Sequence, residues 1–145
     1  NLYESLSAYG VGFHRHNSEI QQELNYYSKN KVNFTFTPHL SPMFRGILST
    51  IYINKIRNIS DTKILNQLKK FYNKEKYVKI MKLNSLVSTN QVINTNLCNI
   101  SVCKSKFKNK LIILCAIDNL IKGGAGQAVQ NLNNLCGFNK SKGFK

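Results

Sequence analysis

The sequence predicts an α+β fold, a mixed sheet with its helices on one side. Three observations lead there. Apolar residues recur at helical spacing in three stretches, near the beginning, the middle and the end of the chain. Short β-branched runs stand between them, two after the first helix and three after the second. The last two runs are close enough to pair as a hairpin, whereas the other strands are separated by long connections.

The first helix is expected from about Ser18 to Ser28, with Ile20, Leu24 and Tyr27 on one face. Asn17 is a suitable N-cap, and Glu19 places a negative charge in the first turn. "KVNFTFTP" then alternates, with Val32, Phe34 and Phe36 opposite Asn33, Thr35 and Thr37. That pattern predicts a half-buried strand stopped by Pro38. "HLSPMFRG" is a loop, and "ILSTIYIN", apolar on both faces, reads as a central strand.

Asp61 or Ser60 should cap the second helix, with Ile64, Leu65, Leu68, Phe71 and Tyr72 as its buried stripe. "YVKIM" is a short strand, and the polar "NSLVSTNQVINTN" is a loop. "LCNISVCKS" and "KLIILCAI" form the hairpin, with "KFKNK" at the turn. The last helix follows, capped by Asp118 and ended by Gly137. It contains "GGAGQA", although each helical Gly costs on the order of 1 kcal/mol relative to Ala. A face without side chains predicts close approach by another backbone or a ligand. "GGAGQA" is not a phosphate cradle, because it lies inside a helix pattern, and no GxGxxG follows a strand.

The length of 145 residues suits one domain with a modest core. No long apolar run suggests a membrane span or secretory signal. The chain opens on Asn1, so we expect it to begin inside a longer one. A formal charge of +15 raises nucleic acid as a partner. Yet the basic residues are mostly Lys spread along the chain, with no RNP pattern, Cys/His finger or long basic run. We read them as solvated Lys and expect no nucleic acid. Cys98, Cys103, Cys115 and Cys136 form no paired CxxC units. Buried free thiols in a reducing compartment are the expectation, none of them activated.

Chemistry concentrates in "HRHNSEI", residues 14 to 20, which holds two of the three His and one of the six acids. His14 and His16 stand just before a helix start, whose positive end disfavours the imidazolium form. A neutral imidazole there suits a general base, and Glu19 could orient the ring. Two ligands of a metal are an alternative, but His39 is the only further His, no acidic cluster completes a site, and no metal is expected. An incidental surface loop is another. Arg45, in the loop with His39, offers a fork for carboxylate or phosphate, or is merely solvated. Asn119 offers a carboxamide at a strand-to-helix junction, or an ordinary cap.

"AYGVGFHRHNSEIQQEL", "FTPHLSPMFRGILSTIY" and "AIDNLIKGGAGQAVQNLNNLCGF" together resemble the N-acetyl-gamma-glutamyl-phosphate reductase family of arginine biosynthesis, in order and spacing, from about Leu2 to Phe138. The resemblance implies a semialdehyde-dehydrogenase-like C-terminal domain. Residues 1–117 would be its catalytic and dimerisation part, and 118–145 a final helix packing on an NADP-binding domain absent from this sequence. It implies a cytoplasmic homo-oligomer, dimer or tetramer, with no membrane partner, acting on a small acyl phosphate.

In the family's chemistry a Cys thiolate attacks the acyl phosphate, NADPH reduces the thioester, and a His serves as acid/base. None of the four Cys matches that nucleophile. His14 matches the catalytic His by the motif's register, with His16 the alternative. Arg15, His16, Glu19 and Arg45 correspond to substrate-binding positions, and Asn119, Gly123 and Gly126 to cofactor-binding ones. Two departures stand out. Asn17-Ser18 replaces Thr-Pro, and Gly124 stands where Ala is commoner. The rival expectations are a related acyl-phosphate reductase of lysine biosynthesis and a non-catalytic basic binding or dimerisation module.

Overall fold

The computed structural model describes residues 4–55 and 59–144. They form two compact units, one ending at Phe44 and the other starting at Arg45.

In the first unit, β1 (Ser7–Ala8) pairs antiparallel with β2 (His39–Leu40), and α1 spans His16–Ser28 between them. The helix starts earlier than expected: its N-cap is Arg15, not Asn17. The His14 carbonyl accepts from Asn17 N at 2.9 Å, and the Arg15 carbonyl accepts from Ser18 Oγ, so the chain is already turning at His14. Lys29, at φ 57°, ends it in the left-handed conformation. No residue of α1 is buried: of the expected apolar stripe Ile20 is half-buried, while Leu24 and Tyr27, the latter at 76%, are left exposed by the described residues.

Residues 31–38 keep the expected alternation, with Val32, Phe34 and Phe36 half-buried and Asn33, Thr35 and Thr37 exposed. They are nevertheless not a strand, because no second chain segment among the described residues forms a ladder with them. Side chains of α1 hold the start of the segment instead. Val32 N donates to Asn25 Oδ1 at 2.9 Å, and Gln21 Nε2 donates to the Val32 carbonyl at 2.6 Å.

The second unit is built on a mixed four-stranded sheet. In chain order its strands are β3 (Ile47–Asn54), β4 (Val78–Ile80), β5 (Cys98–Lys104) and β6 (Lys110–Ile117). In space the order is β3-β6-β5-β4, with only β4 and β5 parallel. The predicted hairpin is β5–β6, and the continuous apolar run of β6 takes a central place. Ser60 caps α2 (Asp61–Phe71) by accepting from Lys63 N, so Ser60 is the cap and Asp61 supplies first-turn charge.

Leu65 of α2 packs on Val102 and Leu111, with Ile64, Leu68 and Ile113 around them. Burying Leu65 contributes roughly 1.5–3 kcal/mol. Phe71, expected in the stripe, is 74% exposed at the helix end. The other face of the sheet is covered by the segment expected to be a polar loop. Val87 and Val92 pack there on Ala116, joined by a 3₁₀ turn at Thr89–Gln91 whose Ser88 and Gln91 form a capping box. The polar residues of that segment hid two apolar anchors.

β3 is an edge strand, not a central one. Ile47, Ile51 and Ile53 on one face and Leu48 and Tyr52 on the other all remain exposed, Tyr52 at 74%. The apolar pattern on both faces is as read; what it signals is cover that the described residues do not supply.

Candidate active site

In the first unit, His14 sits where the chain turns from β1 into α1. Its ring is half-buried and ringed by three others. Tyr9, His16 and Phe36 stand edge-on to it, at centroid distances of 5.2, 4.7 and 5.4 Å. Gly10, at φ +56°, lies so close that a β-carbon there would sit 3.0 Å from His14 Cδ2. His14 Nδ1 accepts the backbone N–H of His16 at 3.2 Å. Arg15, His16 and Glu19 are exposed, with Glu19 in the first turn of α1, where negative charge is favourable. His39 is also exposed, and its Nδ1 faces the Thr37 carbonyl at 3.1 Å.

In the second unit, Arg45 enters β3 beside the start of the C-terminal segment. Its Nη1 donates to Asn94 Oδ1 and lies 3.4 Å from Asp118 Oδ2. Asp118 is fully buried and saturated: Oδ2 also accepts Asn94 N at 2.9 Å, and Oδ1 accepts Leu120 N at 2.8 Å and Ile121 N at 3.0 Å. Burial alone would raise this carboxyl, but the three N–H donors and the Arg45 guanidinium together hold it below the usual carboxylate range. Asp118 therefore caps the segment that follows, as expected, and also anchors Arg45. Asn119 Oδ1 accepts Gly46 N at 2.7 Å, which leaves the Asn119 amide hydrogens to donate elsewhere.

"GGAGQA" is not one regular helix. A π-helical turn at Ile121–Ala125 precedes α3 (Gly126–Leu135), and Gly124 breaks out of helical geometry at φ −146°, ψ −111°. The glycines have different reasons. Gly123 is exposed and bare, with Ile117 Cδ1 3.4 Å from where its β-carbon would be. Gly126 is buried, and Asn96 Oδ1 and Ile121 fill the place of its side chain. Another backbone or a ligand was expected there; at Gly126 the approaching groups are instead the Asn96 side chain and Ile121 of the preceding turn. Asn96 Nδ2 and Lys122 Nζ both donate to Gln130 Oε1, at 2.8 and 2.7 Å, and Asn96 and Gln130 are buried. Burial pushes Lys122 below the usual ammonium range.

Two features had no clear signal in the sequence. Asn94, in the left-handed conformation at φ 61°, completes the Arg45–Asp118 cluster. Cys98 and Cys115 stand with their sulfurs 3.5 Å apart on neighbouring strands. The hydrogen bond from Cys115 lowers Cys98 against the opposing effect of burial; Lys122 adds to the lowering and Cys98 settles at about 7. Cys115 goes up correspondingly. Buried free thiols were expected; all four are free, but Cys98, Cys103 and Cys115 are only half-buried and Cys136 is exposed. An open basin of about 380 Å³ at the start of α2, lined by Lys55, Asp61, Lys104 and Lys108 among others, shares no residue with either cluster. Among the described residues, no group of three or more His, Cys, Asp or Glu could hold a metal ion, and no helix is long and apolar enough to cross a membrane.

The family model described as "Semialdehyde dehydrogenase, dimerisation domain" matches residues 1–119. An N-acetyl-gamma-glutamyl-phosphate reductase of Pelobacter propionicus is 49% identical over 97% of this chain. One of Clostridium kluyveri is 46% identical over 99% of it. The chain spans 41% and 42% of the length of these two relatives. Among solved structures, an aspartate semialdehyde dehydrogenase from Francisella tularensis superimposes with a TM-score of 0.73 at 14% identity, over 94% of this chain and 40% of that one. At that identity the likeness speaks for the fold alone.

Proposed function

Because the chain belongs to the semialdehyde dehydrogenase dimerisation-domain family, we propose that it is the catalytic and dimerisation part of a longer cytoplasmic reductase. That enzyme converts N-acetyl-glutamyl 5-phosphate to N-acetyl-glutamate 5-semialdehyde with NADPH, in arginine biosynthesis. Identities of 49% and 46% to the two reductases above, over nearly all of this chain, support the substrate. The observation that carries the reading is the His14 site. A half-buried imidazole at a helix start is held on several sides by Tyr9, Phe36, Gly10 and the His16 N–H. A solvated loop histidine needs no such enclosure; an acid/base group that must meet a reacting carbonyl does.

In this reading His14 is the acid/base group. Arg15, His16 and Glu19, exposed around it, bind the substrate's charged ends. Arg45 is a further substrate-binding group. With Nη1 held by Asn94 and Asp118, its planar fork is pre-set in orientation, and its side chain remains 25% exposed. NADPH would supply the hydride. The residues present fit a nicotinamide: the Asn119 amide N–H is left to meet a carboxamide oxygen, and exposed Gly123 leaves its approach unobstructed. Gly126 serves the same segment from within, by admitting Asn96. Residues 118–145 would present this surface to the nucleotide-binding domain.

A second copy of the chain is the natural cover for β3, whose Ile47, Ile51 and Ile53 on one face and Leu48 and Tyr52 on the other are exposed. The test of the whole reading is steady-state kinetics on the chain rejoined to its upstream half. His14→Ala should lower turnover roughly a hundredfold or more. An unchanged turnover would place the acid/base group elsewhere.

A further inference from the structure

We infer that Cys98 and Cys115 are a redox-active pair: hydrogen peroxide oxidises Cys98, and Cys115 then closes a reversible disulfide between β5 and β6.

In the antiparallel ladder Cys98 pairs with Ile117, and Ile100 pairs with Cys115. Alternate residues of a strand share a face, so the two cysteines lie on one face, diagonally across the ladder. It is the face on which Val102, Leu111 and Ile113 pack with Leu65 of α2. The sulfurs stand 3.5 Å apart. Both residues are half-buried, so neither is sealed from a reagent as small as peroxide. The other two thiols lack such a neighbour. Cys103 lies on the opposite face, with its sulfur 3.7 Å from Ser101 Oγ and 3.8 Å from the Ser85 carbonyl. Cys136 is exposed at the end of α3.

The two sulfurs of the pair are not equivalent. The Cys115 S–H donates to Cys98, and this, with the Lys122 charge, lowers Cys98 to about 7 against the effect of burial. Near neutral pH Cys98 thus supplies thiolate, the form that attacks, while Cys115 keeps its proton. The thiolate attacks one peroxide oxygen. An S–O bond forms, the O–O bond breaks as sulfur gives up two electrons, and hydroxide leaves to take up the proton Cys98 had released. Cys98 is then a sulfenic acid. The Cys115 sulfur attacks the Cys98 sulfur. An S–S bond forms, the S–O bond breaks, and the departing hydroxide leaves as water with the Cys115 proton. The sum is two thiols and one peroxide giving one disulfide and two waters.

The diagonal placement makes the bond reversible. Diagonal positions in a ladder lie roughly 7–8 Å apart, whereas disulfides usually join α-carbons about 4.4–6.8 Å apart. Closing the sulfurs from 3.5 Å to a bond therefore draws β5 and β6 together, and the strain makes the product easier to reduce. Closure also removes the negative charge that acts on Lys122, whose ammonium donates to Gln130 of α3 at 2.7 Å. The charge is lost beside the C-terminal segment that carries Lys122.

The test is peptide mapping of the chain rejoined to its upstream half, with Cys103→Ser so that the tryptic peptide from Leu83 to Lys104 holds Cys98 alone. After brief hydrogen peroxide and alkylation of the remaining thiols, digestion without reductant should yield that peptide joined to the one from Leu111 to Lys122, two hydrogens lighter than their sum. Reduced glutathione should undo the link. Cys115→Ala should abolish it and leave Cys98 as a sulfenic acid that dimedone traps. A Cys98 that stays free under peroxide, or is oxidised without joining Cys115, overturns the inference. So does a link that reduced glutathione leaves intact. Should either variant fail to fold, fragment spectra of the linked peptides from the unsubstituted protein decide, by placing the bond at Cys98 or at Cys103. Turnover is not read, so failure here leaves the His14 assignment untouched.

Discussion

Arg45 and Asp118, 73 positions apart, meet at 3.4 Å, and Asn94 joins both of them. The contact ties the first residue of the second unit to the turn that opens the C-terminal segment. The Arg45 side chain is 25% exposed and the Asp118 side chain is fully buried. The arginine can thus serve a ligand, while the aspartate serves the fold.

Asp118→Ala should destabilise the protein by about 3–5 kcal/mol, because it strips the acceptor from three backbone N–H groups and leaves Arg45 without its counter-charge. The pH dependence follows from the depressed carboxyl. Its contribution is complete above the unfolded aspartate value near pH ~3.9 and is lost as pH falls through the lower folded value. Urea melts of wild type and Asp118→Asn at pH 7 and at decreasing pH should therefore converge below about pH 4.

Gly46→Ala should be costly at a position that touches nothing charged. Gly46 adopts φ +105°, and a β-carbon would lie 2.5 Å from Thr89 Cβ. Backbone strain and overpacking each cost about 1–3 kcal/mol, and here they add. A thermal melt of the variant checks the sum; a Tm within error of wild type would contradict it.

Alkylation of Cys98 should follow a titration with its midpoint near pH 7. Cys115→Ala removes the hydrogen bond that contributes most to the lowering, so the thiolate should then form only at higher pH. Site-resolved mass spectrometry after brief iodoacetamide treatment reads both curves. Coincident curves would show that the thiol pair has no such coupling.

Tyr52→Lys with Ile51→Lys should shift the chain towards monomer in sedimentation, with little change in helical signal, because both side chains already face solvent in the single chain. A wild-type chain that is a well-folded monomer at tens of micromolar (roughly, as a test concentration) would instead argue against association through β3.

Much of this architecture was legible where one segment carried its own signal. Ser60 and Leu65 marked α2, and the β5–β6 hairpin announced itself by proximity and alternation. Errors arose where the partner decides. "ILSTIYIN" has the pattern of a central strand, yet nothing in an apolar pattern says whether the cover comes from this chain. "KVNFTFTP" alternates correctly, but a strand requires a ladder, and none forms among the described residues. Val87 and Val92 were lost among polar neighbours because two isolated valines have no period.

The site shows the same division. His14 and Arg45 stood out by residue type and motif. Asn94, which holds Arg45, did not, and neither did the Asn96–Gln130 and Cys98–Cys115 pairs, since each is joined only by long-range geometry. The helix start also moved, because a histidine ring meets the His16 N–H where the sequence offered Asn17 as the cap.

The most direct measurement is NADPH-linked interconversion of N-acetyl-glutamyl 5-phosphate and its semialdehyde by three samples: the rejoined enzyme, its His14→Ala variant, and the 145-residue chain alone. The account predicts turnover by the first, a loss of roughly a hundredfold or more in the second with an unchanged melting curve, and none in the third. Turnover by the isolated chain, or near-normal turnover after His14→Ala, would contradict it.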